Sequence, residues 1–320
     1  MHGSTTRRQA LLFAAGAGAL SPLAACAAQD AIAATGGLRL STRPGRVFKI
    51  ADLPRERTEA WIAFAIVESA APIEAQPERV VVTYASGGAE TARVEYWGEA
   101  LNAITARTLR APQGVFWPFG VRLISRQPAA ANIDRMRVRI SFRDGPAPLE
   151  GDIAVNAYAQ QTDLIFPFRG PGIVTQAGAA NGGHRNSSGQ FAIDAMGLTE
   201  TYAVQSGAGF AANTDLAGFG RDLIAPGAGV IVATSGDRPD QPTPGESNEA
   251  YHRPELRGAG DPGNHVVIDH GNGEFSLVAH LMANSLAVRE GQRVAQGQRI
   301  GALGNSGDSF APHVHHQLQD

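Results

Sequence analysis

The run Arg135-Met136-Arg137-Val138-Arg139-Ile140-Ser141-Phe142-Arg143 alternates polar and apolar residues without a break. Successive side chains of an extended chain point to opposite faces, so Met136, Val138, Ile140 and Phe142 share one face. The arginines and Ser141 share the other. A helix would scatter these apolar residues around its surface, so the segment is a half-buried strand. The same short period, broken by frequent Gly and Pro, runs through residues 36–160. Val80-Val81-Val82-Thr83-Tyr84, a turn at Gly87-Gly88, and Ala92-Arg93-Val94-Glu95-Tyr96 read as a hairpin. A chain of 320 residues suggests two domains at about 150 residues each. The first, 36–160, is expected to be a small antiparallel β-sandwich-like domain.

A Gly- and Pro-rich linker (Pro167, Gly170, Pro171, Gly172) leads into the second, 165–320. There, strands recur between glycine turns at Gly229-Val230-Ile231-Val232, Val266-Val267-Ile268 and Phe275 to His280, with a hairpin turn at His270-Gly271-Asn272-Gly273. The expected class is therefore mostly β throughout. Residues 236–264 form a loop long enough to suggest a functional role.

Composition removes several function classes. Twenty-seven basic against thirty acidic residues give a net charge of −3, and no basic block stands out to neutralise a run of phosphates. Nucleic acid is thus not an expected partner. Lys49 is the only lysine, so the Gly-Gln-Arg repeat at 291–300, which resembles a biotin or lipoyl carrier turn, lacks the lysine that would hold the cofactor. Trp61, Trp97 and Trp117 all lie in the first half. Aromatic residues dominate core burial, so they are expected in the sandwich core, a sugar-stacking platform being the alternative. The outward arginines of 135–143 are expected to be a solvated face, with an anionic wall polymer as the alternative.

Residues 1–30 read as an export signal: Arg7-Arg8 supply the positive end and Ala10 to Ala25 an apolar run too short and interrupted to span a bilayer. Thr6-Arg7-Arg8-Gln9-Ala10-Leu11 looks like a twin-arginine signal. Leu23-Ala24-Ala25-Cys26 resembles a lipobox, which would attach the mature chain to a membrane through a lipidated Cys26. The protein is therefore expected in the periplasm or cell envelope. Because Cys26 is the sole cysteine, neither an intramolecular disulfide nor a cysteine-based metal cage can form.

Histidine is the strongest functional clue. Eight of the nine histidines fall between His184 and His316. In Pro312-His313-Val314-His315-His316, strand alternation turns His313 and His315 to one face and His316 to the other. Two imidazoles one step apart on one face can serve a single metal centre. His280 ends a strand, and His184 precedes Asp194.

This sequence resembles the lysostaphin-type (LytM-like) zinc metallopeptidases over about residues 165–320. The resemblance rests on the His184…Asp194 pair, Ala225-Pro226 to Val230, Gly263-Asn264-His265-Val266-Val267-Ile268-Asp269-His270-Gly271-Asn272-Gly273 and Ala279-His280-Leu281. It continues in the Val-x-x-Gly-Gln run at 288–301 and in Gly304-Asn305-Ser306-Gly307 leading to Pro312-His313-Val314-His315. The family implies an antiparallel β-sheet metallopeptidase domain with one Zn²⁺ per chain, bound by His184, Asp194 and His315, and with His280 and His313 as catalytic histidines. Their separate roles stay open. It also implies hydrolysis of peptide bonds in peptidoglycan stems or cross-links. The alternative is a non-catalytic relative that binds the wall or activates another hydrolase. The His184–Asp194 gap is longer than is common in the family, and His316 stands where an aromatic residue is usual. His265 and His270 are expected to be structural, and His252 solvated.

Overall fold

A computed structural model describes residues 31–319 except 44, 53–55, 107–113, 129–130, 178–183, 185–188, 190, 207–208 and 253–259. The segment expected to be an export signal, with Arg7, Arg8 and Cys26, lies outside the described residues. Two compact units separate between Ala159 and Gln160. No helix among the described residues is long and apolar enough to cross a membrane.

The first unit holds β1 (Ala33–Thr35), β2 (Leu38–Arg43), β3 (Val47–Asp52), β4 (Arg57–Ser69), β5 (Gln76–Ser86), β6 (Ala89–Trp97), helix α1 (Gly98–Ile104), β7 (Thr105–Ala106), β8 (Phe116–Pro128), β9 (Arg135–Arg143) and β10 (Leu149–Asn156). Its pairings are antiparallel except a short parallel contact between β3 and β10. That contact joins the β1-β2-β4-β3 half to the β10-β9-β5-β6 half. One buried cluster takes residues from both halves, among them Leu40, Val67, Val121, Val82, Met136 and Val138. The Phe119 and Phe142 rings meet across it at 6.0 Å. This is the sandwich-like packing that the alternation implied. In β9, Met136, Val138 and Ile140 are fully buried while the arginines face out. The β5–β6 hairpin turns at Gly87 and Gly88, both in the left-handed region at φ 56° and 85°, as a two-residue turn requires.

The outward arginines lie on a solvated face, as expected, and are partly paired within it. Arg137 stands opposite Asp152 and Arg139 opposite Glu150 on β10, and each ion pair closes at 2.8 Å. One expectation changes. Trp97 is 69% exposed rather than in the core. It ends β6 and stands at the N-cap of α1, where the strand stops.

Tyr84 makes this unit sensitive to high pH. Burial, with a smaller contribution from Tyr96, pushes its phenol up to about 12. The unfolded chain ionises first, near pH 10, so stability is full below pH 10 and falls as pH climbs toward 12. The expected loss is about 2–3 kcal/mol at a cost of ~1.4 kcal/mol per pKa unit. Tyr84→Phe should flatten that slope. All three tryptophans lie in this unit, so their fluorescence in urea titrations at pH 9 to 11.5 reads it directly.

The second unit contains β11 (Gly172–Ala177), β12 (Ala192–Gly197), β13 (Asp222–Ile224), β14 (Gly229–Ser235), β15 (Asn264–Asp269), β16 (Phe275–Leu281), β17 (Arg293–Val294), β18 (Arg299–Ala302) and β19 (Val314–Gln319). Seven make one antiparallel sheet in the order β11-β12-β19-β16-β15-β14-β17, and β13 pairs with β18. Ala195, Val266, Ile268, Val278 and Val314 bury one face of the sheet. Val267, Phe275, Leu277 and Ala279 form a second, smaller cluster. Alternation on β15 and β16 assigns the two clusters to opposite faces. Glu274, after the β15–β16 turn, ties down the start of the unit by accepting the Gln161 and Thr162 amides at 2.8 and 2.7 Å.

Candidate active site

Strand register builds the first part of the site. Asp194 on β12 lies directly opposite His315 on β19, and His315 lies opposite Ala279 on β16. His315 Nδ1 is 2.9 Å from Asp194 Oδ1, and His184 Nε2 is 3.0 Å from Oδ2 of the same carboxylate. One donor atom from each of the three lies within 4.8 Å of the others. The His184 and His315 rings stand nearly perpendicular, at 87°. Burial alone would raise the Asp194 carboxyl; the close imidazoles of His184 and His315, with a smaller electrostatic contribution from His313, override it. The group is held well below the usual carboxylate range.

The donor chemistry of this cluster fits a cation. Gln317 Nε2 donates to Gln319 Oε1 at 2.6 Å, which turns Gln317 Oε1 toward His315 Nε2 at 3.0 Å. His315 therefore donates from Nε2 and presents a lone pair at Nδ1, facing a carboxylate oxygen. His184 Nε2 is buried and meets no hydrogen-bond geometry despite its 3.0 Å approach to Asp194. A proton on one ring would satisfy one contact. A metal ion satisfies all three donors, and Gln317 then acts as the outer partner that orients a metal-bound imidazole. Two imidazoles and one carboxylate are also a catalytic zinc donor set, because they leave a coordination position open.

His280 and His313 flank the cluster. Their ring centroids are 4.7 Å apart, and His280 is 5.9 Å from His315. His280 occupies a bulge: Ala279 pairs with His265 and Leu281 with Asn264, which leaves His280 without a partner across the ladder. Its φ of 62° is costly for a residue with a Cβ, a kind of strain that clusters at functional sites. The amide of His280 donates to Pro262 O, and its carbonyl accepts from Gly304 N. His280 Nδ1 donates to the Ser306 carbonyl at 2.8 Å, and His313 Nδ1 to the Ala311 carbonyl at 2.8 Å. Both rings therefore carry a bare Nε2, and that of His313 lies 3.7 Å from Asp194 Oδ1. Burial lowers the pKa of each, so both are neutral and able to accept a proton near pH 7.

The five residues singled out in the sequence, His184, Asp194, His280, His313 and His315, thus come together. His313 precedes β19 rather than lying within it, yet it reaches the same carboxylate as His315. His316 faces the other way, with Nε2 3.2 Å from Ser276 Oγ; His270 Nε2 reaches the same hydroxyl at 2.8 Å. His252 is not solvated: it is buried, with Nε2 2.8 Å from Ser247 Oγ. Gln317 and Ser309 were not singled out, and Asn305 and Ser306 entered only within the Gly304-Asn305-Ser306-Gly307 motif, because a polar side chain that orients a histidine has no spacing signature of its own.

The turn that holds Ser306 is sterically closed. Gly307 has φ 76°, and a Cβ there would lie 2.4 Å from Gly263 N and 2.6 Å from Asp261 O. Gly307→Ala should therefore push Ser306 off His280. The expected result is a turnover loss of tenfold or more and a lower melting temperature. An alanine variant with unchanged turnover and melting would show that the turn can adapt.

Comparisons with known proteins find similarity to peptidases. Residues 209–320 match Peptidase family M23, a stretch that contains His280, His313 and His315 but begins after His184 and Asp194. A 56-residue segment is 46% identical to peptidoglycan DD-endopeptidase ShyA of Vibrio cholerae, covering 18% of this chain and 13% of that protein. A 56-residue segment is 42% identical to DD-endopeptidase ShyC of the same organism, covering 18% and 12%. The chain thus matches only about an eighth of the length of these curated relatives. Among solved structures, the catalytic domain of lysostaphin from Staphylococcus simulans is 22% identical, with 35% of this chain and 77% of that one covered, at a TM-score of 0.23. A zinc-containing peptidase from Vibrio cholerae is 11% identical, with 82% and 78% covered, at a TM-score of 0.30.

Proposed function

We propose that this protein is a zinc-dependent endopeptidase that hydrolyses peptide bonds in peptidoglycan stems or cross-links, with the chemistry in residues 165–320. The observation that carries this reading is the convergence of His184, Asp194 and His315 beside two imidazoles whose Nε2 atoms are bare. His184, Asp194 and His315 would hold the metal. A zinc ion bound there acidifies a water molecule to about pKa 7 and polarises the scissile carbonyl.

The chain's own residues supply the proton traffic. With Nδ1–H committed to a backbone carbonyl, His280 or His313 can take a proton from the attacking water only at Nε2. The resulting imidazolium can pass it to the leaving amine nitrogen or donate a hydrogen bond to the carbonyl oxygen as that oxygen gains charge. The Ser306 and Ala311 carbonyls keep both rings in the tautomer this work needs. The 236–264 loop, of which residues 253–259 lie outside the described residues, would form one wall of the substrate groove.

The substrate class is supported by the similarity to the peptidoglycan DD-endopeptidases ShyA and ShyC and by the export signal read in residues 1–30. An envelope location, with anchoring through a lipidated Cys26, follows from the same signal. Residues 36–160 would be an accessory domain.

The test is zinc content of the purified chain together with digestion of isolated peptidoglycan. One zinc per chain and new amino termini, both lost on chelation and restored by zinc, are expected. A zinc-loaded chain that releases no amines from any wall preparation would overturn catalysis in favour of a wall-binding or hydrolase-activating role.

A further inference from the structure

Beside His313 runs a hydrogen-bond chain whose direction is fixed at one end. Gln241 is 1% exposed and anchored, its amide donating to Asn305 O at 2.8 Å and its Nε2 to Gly307 O at 2.6 Å. The Gln241 carbonyl faces Asn213 Nδ2 at 2.8 Å. A carbonyl can only accept, so the Asn213 amide has one orientation, and its Oδ1 is turned toward Asn305. Asn305 Nδ2 donates to that oxygen at 2.8 Å, which leaves Asn305 Oδ1 for Ser309. The Ser309 hydroxyl donates there at 2.6 Å, in preference to the longer 3.1 Å approach to Ala311 O. Its proton is then used, and Ser309 Oγ offers His313 Nδ1 only a lone pair, at 3.1 Å. Asn305 and Ser309 are 0% and 1% exposed, so no bulk water competes. All four links point the same way, from His313 toward Gln241, and links so aligned polarise and strengthen one another.

Resting on the reading of His313 as a catalytic histidine, we infer that Asn213, Asn305 and Ser309 are positioning residues: one polarised chain from the Gln241 carbonyl accepts the His313 Nδ1 proton and so sets how the Nε2 edge of the ring is turned toward Asp194. The chain also ties the loops around Asn213 and Gln241 to the orientation of that ring. The Ala311 carbonyl accepts the same Nδ1 proton and fixes the tautomer, so what the chain adds is ring orientation.

The decisive measurement is histidine ¹⁵N NMR on the full-length, metal-free protein, with the His313 signals assigned from His313→Ala. The Nδ1-protonated tautomer is expected. Ser309→Ala and Asn305→Ala should shift or broaden the signals, and Ser309→Thr, which keeps the hydroxyl, should leave them in place. In the zinc-loaded protein, Ser309→Ala is expected to lower kcat about tenfold, the effect typical of lost orienting partners, with KM and zinc content unchanged. Ser309→Thr should restore it. Asn213→Ala combined with Ser309→Ala should be no worse than the more damaging single change, because both break one chain. An Nε2-protonated His313 in the wild type, signals unmoved by Ser309→Ala, or losses that multiply in the double variant would each overturn the inference. The NMR result requires no hydrolysis, so it is decided even if the peptidase reading fails.

Discussion

His315→Ala is expected to leave the purified chain with almost no zinc and with hydrolysis at background. His315 contributes one of three donors, and its Nδ1 lies 2.9 Å from the carboxylate oxygen that shares the site. Alanine removes that donor from the strand between Ala279 on one side and Asp194 on the other. The adjacent His316→Ala is the control. Its ring lies on the opposite face against Ser276, so zinc content and turnover should persist while thermal stability falls. Metal analysis and amine release on the two purified variants check this. Full zinc and wild-type turnover in His315→Ala would sink the ligand assignment.

His313→Ala and His280→Ala should separate catalysis from metal binding. Neither ring belongs to the three-donor cluster, so zinc stays near one per chain in both variants. Turnover should fall by about 10²–10⁴, the usual contribution of a positioned acid or base. His280 carries the further cost of its backbone. Its φ of 62° is held by the Pro262 and Gly304 hydrogen bonds whatever the side chain, so His280→Ala should lose turnover without unfolding the unit. His280→Gly would relieve the strain and be at least as stable as His280→Ala. Retained hydrolysis in either alanine variant, measured on the same peptidoglycan with zinc content verified, would remove that histidine from the mechanism.

Much of this site was legible in the chain. Period-two alternation determined that 135–143 is a strand and which of its faces is buried, because a side chain's face in an extended chain follows from its position alone. The same rule put His315 and His316 on opposite faces, and they do face different clusters. The ordered histidine and glycine motifs of 165–320 carried the family resemblance before any fold was known.

Other features depended on contacts that local pattern does not encode. Asp194 and His315 are 121 positions apart, and only the β12–β19 register sets them side by side. His280 is aimed by a bulge, and a bulge breaks the alternation from which a sequence reading would place it. That the solvated arginines of β9 are partly paired follows only from β10, which sets Glu150 and Asp152 opposite them. Trp97 looked like core until the sheet ended at it, and His252 looked solvated until Ser247 covered its ring nitrogen. The sequence by itself determined which residue types are present and which face of a strand each takes, since both follow from covalent order and backbone geometry. Tertiary structure alone decided which distant donors share a carboxylate, which tautomer each imidazole holds and which charges are already paired. Those depend on strand register and on hydrogen bonds between residues far apart in the chain.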